Sequence, residues 1–128
     1  METVNEIKRD KKISSLYIDS DGVLVTKVDK ALISLDELDN NFIKIKSITK
    51  GNAVYGIIDI EQNGDLGKNY LSYLEREYSK VYRALAIITP SKWKRLKSQV
   101  TRNFSKSKYP VKLFSNTDQA KKWLKDFL

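Results

Sequence analysis

The sequence predicts a single α/β domain, and three stretches carry that reading. Residues 53–61 (AVYGIIDIE) and 84–89 (ALAIIT) are short, almost wholly apolar runs rich in β-branched residues, the pattern of strands buried on both faces. Between them, residues 70–79 space their apolar side chains as a helix does. Strand, helix and strand in this order place the two strands as parallel neighbours at the centre of one sheet.

The other elements follow in order. Residues 1–12 are polar and charged and read as a flexible lead-in to one domain spanning 13–128. Residues 15–18 and 23–28 flank Asp19, Ser20, Asp21 and Gly22, which predicts a hairpin with Gly22 supplying a positive φ. Ser34 and Glu37 form a capping box, followed by a stripe of Leu35, Leu38, Phe42, Ile45 and Ile48. After the turn at 62–65 a second helix runs to about Lys80, with Tyr70, Leu71, Leu74 and Tyr78 on its apolar face. Ser91 opens a third helix with stripe Trp93, Leu96, Val100 and Phe104. Residues 109–114 form a short strand that Pro110 places at an edge or at its own start. Residues 115–118 cap a fourth helix striped by Ala120, Trp123, Leu124 and Phe127. The expected order is β-β-α-β-α-β-α-β-α, a mixed, mostly parallel sheet with four helices.

At 128 residues the chain can bury a core without staples. It has no Cys, so disulfides and thiolate metal sites are excluded. It has no His, the commonest general base and metal ligand. Those absences argue against an enzyme, and no catalytic residue, metal or cofactor is expected. The N-terminus lacks a signal-type apolar run and no segment reaches membrane-spanning length, so a cytoplasmic location is expected.

The net charge of +8 is concentrated. Residues 91–112 hold Lys92, Lys94, Arg95, Lys97, Arg102, Lys106, Lys108 and Lys112 without one acid, while the remainder balances. A basic stretch of this kind speaks of anionic partners, or of a plain solvated face. The exposed aromatics and Gly-rich signatures of common RNA-binding modules are missing, which disfavours nucleic acid.

Two acidic motifs are weighed against turns. Residues 16–24, with Asp19-x-Asp21-Gly22, resemble the opening of haloacid-dehalogenase-type phosphatases, in which Asp19 would be the nucleophile and Asp21 the general acid. That family's Mg²⁺-binding acids should follow Thr89, whereas Asp59 and Asp65 precede it, so the hairpin is preferred. Residues 59–65 resemble the start of an EF-hand loop, but Tyr70 stands where the bidentate Glu belongs. The better reading is acids at the carboxyl end of a parallel strand, where open α/β folds place ligands.

From residue 53 to 128 the chain resembles the STAS-like superfamily, relatives of bacterial anti-sigma-factor antagonists that shade into CRAL-TRIO-like lipid-binding proteins. Residues 55–59 (YGIID), 83–88 (RALAII), and 109–114 (YPVKLF) running into 117–124 (TDQAKKWL) carry the likeness. The resemblance implies a non-enzymatic bacterial binding or regulatory module engaging an acidic protein partner. Such regulators are switched by phosphorylation of a Ser after the central strand; here the matching stretch, 65–68, offers Asp65 and no hydroxyl. The expected contact surface joins Glu61, Asn63 and Asp65 to Lys92, Trp93, Lys94, Arg95, Lys97 and Arg102. The alternative is an anionic lipid held under the third helix, and a homodimer is a further option.

Overall fold

The computed structural model describes residues 13–28, 35–60, 67–89 and 109–127. Five strands form one sheet in the order β1-β2-β3-β4-β5: Ile13–Ile18, Leu24–Val28, Val54–Ile60, Tyr82–Ile88 and Val111–Phe114. β1 pairs antiparallel with β2, and every later neighbour is parallel. Three α-helices stand among the described residues: α1 (Leu35–Thr49), α2 (Gly67–Arg76) and α3 (Thr117–Lys125). The expected third helix falls on 91–106, outside the described residues.

The central β3–α2–β4 unit is as expected, with β3 and β4 in parallel register from Tyr55 opposite Ala84 to Asp59 opposite Ile88. The expected hairpin is present too. Gly22 closes it at φ +81°, and its N–H donates to the Asp19 carbonyl at 3.0 Å. β5 is an edge strand and begins directly after Pro110, which can donate no ladder hydrogen bond.

Alternation along the strands divides the interior into two layers. On one face α1, α2 and the turn after α2 bring Leu38, Ile45, Leu74 and Tyr78 against Leu24, Val28, Ile58, Ile60, Leu85 and Ile87. On the other face α3 brings Ala120 and Leu124 against Val23, Val25, Ile57, Ala84, Ala86 and Ile88. The small Ala84 and Ala86 let Ala120 approach until it is fully buried. Each fully buried Leu or Ile here is worth about 1.5–3 kcal/mol over the exposed state.

The helix stripes need correction. On α1, Leu38 and Ile45 are buried, but Leu35 and Ile48 are 53% and 39% exposed. Asn41 and Thr49 take the inward positions instead. Each brings a hydrogen bond: Asn41 Nδ2 donates to the Tyr78 hydroxyl at 3.2 Å, and Thr49 Oγ1 donates to the Ile45 carbonyl at 2.9 Å. The second helix ends at Arg76, not Lys80, and the chain tightens into a 3-10 turn over Tyr78–Lys80 that drives Tyr78 into the core. On α3, Asn116 is the N-cap, its side chain accepting from the Gln119 N–H at 2.9 Å. Phe127, expected in the stripe, lies just past α3 and is 40% exposed. Ser34, the side chains of Tyr70 and Leu71, and the 1–12 lead-in lie outside the described residues.

Candidate functional site

The parallel strands β2 to β5 share one carboxyl edge, which is where open α/β sheets bind ligands. Two of the chain's departures from the sheet at this edge follow Ile60 and Thr89. Because Asp59 lies opposite Ile88, the two departures are side by side. They lead into 61–66 and 90–108, the segments holding every binding residue expected from sequence. Glu61, Asn63, Asp65, Lys92, Trp93, Lys94, Arg95, Lys97 and Arg102 themselves fall outside the described residues. Lys112 of the basic stretch is described: it is exposed on β5, with Nζ 5.7 Å from the Phe114 ring centroid.

A cleft of about 150 Å³ opens between α3 and the β1–β3 part of the sheet. Val25 and Ile57 are its floor, and Tyr17 its rim. Lys27, Asp59 and Thr117 stand at the carboxyl-edge end, and Asp19 and Lys121 at the other. Lys27 and Asp59 are register partners on β2 and β3. Burial raises the Asp59 carboxyl above its ordinary value, and the nearby Lys27 charge offsets part of that rise. Sequence reading marked Asp59 as an acid at a strand end; it had no signal for Lys121, one of several cations on the last helix.

Asp19 shapes the hairpin and pairs with α3. Its Oδ1 accepts from the Asp21 N–H at 2.9 Å and from the Val23 N–H at 3.0 Å, an Asx turn that shapes the hairpin. Its Oδ2 lies 3.2 Å from Lys121 Nζ, which also reaches Asp21 Oδ2 at 3.8 Å. Burial alone would raise the Asp19 carboxyl, but the Val23 N–H, Lys121 and the Asp21 N–H together hold it below the ordinary value. The same contact with Asp19 raises Lys121. Asp19 also sits where the chain enters β2, at the amino edge of the parallel strands and opposite the edge where open α/β sheets bind ligands.

This geometry fixes a pH dependence. A carboxyl depressed in the folded state stabilises the protein above its unfolded pKa, and the contribution is lost as pH falls through the lower folded value. Asp19→Asn should therefore reduce stability at neutral pH and flatten the acid limb of the stability curve below about pH 4. Urea denaturation from pH 7 downward checks this; an Asp19→Asn curve parallel to the wild type would contradict it.

No helix among the described residues is long and apolar enough to cross a membrane. Among solved structures, the chain is similar to a crystal structure of a protein with unknown function from Arthrobacter sp. FB24. That likeness covers 87% of this chain and 98% of the other, at 16% identity and a TM-score of 0.35. No curated protein matches the chain. Residues 16–128 match the family model described as Domain of unknown function (DUF7793), and the protein belongs to that family.

Proposed function

We propose that the protein is a non-enzymatic, STAS-like binding module that engages an acidic protein partner through its basic stretch, residues 91–112. The observation that carries the reading is the concentration of charge: eight cations and no acid in this stretch, with all other residues balanced. Support comes from the sheet, because the basic segment and 61–66 leave it side by side at the carboxyl edge. The role of Asp19 as a turn former and ion-pair partner agrees with a module that does no chemistry there.

Association through such a surface is steered by long-range attraction and weakened by salt, since the Debye length falls to about 8 Å near physiological ionic strength. Labelled poly-glutamate serves as an acidic protein-like probe, with anionic phospholipid vesicles in a parallel arm. Poly-glutamate should bind at low salt and weaken steeply as salt rises, and replacing Lys94, Arg95 and Lys97 by Glu should lower affinity at least about tenfold. Binding to vesicles but not to poly-glutamate would replace the acidic protein by a lipid surface. Binding by the triple variant equal to wild type in both arms would leave the stretch a solvated face.

A further inference from the structure

We propose that the cleft beside α3 binds a small zwitterion, an α-amino acid with a short apolar side chain, with Asp59 taking its ammonium group and Lys27 its carboxylate. Every residue that lines the cleft is among those described. α3 packs chiefly over β4 and β5, which leaves part of the β2–β3 face beside it as a floor. Alternation puts Val25 and Lys27 of β2 and Ile57 and Asp59 of β3 on that one face, as two register pairs. The floor is therefore apolar at Val25 and Ile57 and charged at Lys27 and Asp59.

Charge selects the ligand. Lys27, Lys121, Asp19 and Asp59 line the cleft, two cations and two carboxylates, so neither a bare anion nor a bare cation matches it. Asp19 and Lys121 pair with one another at 3.2 Å and close one end. Asp59, at the other end, is half-buried. Among the described residues its carboxyl joins no hydrogen bond or ion pair, and Lys27 acts on it through charge alone.

A partly desolvated carboxylate gains most from a charge-assisted donor, and an ammonium group supplies one. The carboxylate borne on the same carbon then falls beside Lys27, the register partner of Asp59, and beside the Thr117 hydroxyl at the amino end of α3. The cleft volume of about 150 Å³ holds about six to eight non-hydrogen atoms. Valine is of this size, with its isopropyl group on Val25 and Ile57 and Tyr17 at the rim. A ligand this small should bind with a Kd on the order of 1 mM.

The test is titration of the isotope-labelled protein at neutral pH with L-valine, isobutylamine and isovalerate, up to about 50 mM each, read by amide chemical shifts. Isobutylamine lacks the carboxylate of valine, and isovalerate lacks its ammonium. Valine should shift Val25, Ile57, Asp59 and Thr117 saturably, and the other two should bind at least about tenfold more weakly. Asp59→Asn should raise Kd for valine at least about tenfold without weakening isovalerate. Lys27→Gln should do the same without weakening isobutylamine. That crossed pattern separates loss of one charged contact from loss of the fold. Valine that causes no saturable shift at these residues would overturn the proposal. So would a singly charged probe that binds as tightly as valine, or either variant with wild-type affinity for valine.

Discussion

Replacing Gly56 by alanine should destabilise the protein by about 3 kcal/mol, at the upper end of the cost of overpacking a core. Gly56 lies mid-strand in β3, between Leu24 of β2 and Leu85 of β4. The Tyr82 ring lies directly against it, and a Cβ there would fall inside the van der Waals envelope of Tyr82 Cδ1 and Cε1. Tyr82 cannot swing away: it is 3% exposed and packed edge-on to Tyr78 at 5.6 Å and beside Tyr109 at 6.0 Å. Its hydroxyl and that of Thr26 are near one another in the core, and neither completes a hydrogen bond of good geometry among the described residues. The clash is specific to the ring. In a Tyr82→Ala background, itself costing about 3–5 kcal/mol, adding Gly56→Ala should cost less than about 1 kcal/mol. A double-mutant cycle by urea denaturation reads this coupling, and additive effects would contradict the packing described.

Truncating Tyr78 to alanine should cost about 3–5 kcal/mol, the range for a fully buried aromatic. Tyr78 has no exposed surface and holds the α1–α2 layer together. Phe42 stacks on it at 5.6 Å with planes 15° apart, and Tyr73 meets it edge-on at 5.3 Å. Burial pushes its phenol up to about 12, with the Asn41 hydrogen bond partly opposing the rise. Tyr78→Phe keeps the packing and removes the hydroxyl that accepts from the Asn41 amide, so it should cost only about 1 kcal/mol. Denaturation midpoints for the two variants separate ring from hydroxyl; equal losses would show that the hydrogen bond, not the aromatic packing, holds the layer.

Much of this fold can be read from apolar periodicity. The runs at 53–61 and 84–89 had to be buried strands, and the helical spacing between them required a parallel pair. Gly22 and Pro110 marked the hairpin and the edge because each restricts its backbone in a known way. Periodicity failed where a polar side chain finds a partner inside. Asn41 and Thr49 look like surface residues until Tyr78 and the Ile45 carbonyl are in place, and Leu35 and Ile48 were promoted to the core in their stead. The cleft was invisible for a related reason. Lys121 meets Asp19 across about a hundred residues of sequence, and nothing local to either marks the pair. The basic stretch was legible as charge alone, and its site residues rest on that composition.

The central claim is that charge position, not total charge, confers binding. Lys50, Lys80 and Lys122 are exposed and lie outside residues 91–112, so their replacement by Glu changes net charge as much as the Lys94, Arg95 and Lys97 replacement does. Both triple variants, matched for folding by circular dichroism, are titrated with labelled poly-glutamate at one low salt concentration. The account predicts at least about a tenfold loss for the 94/95/97 variant and less than about threefold for the control. Equal losses in the two variants would contradict it.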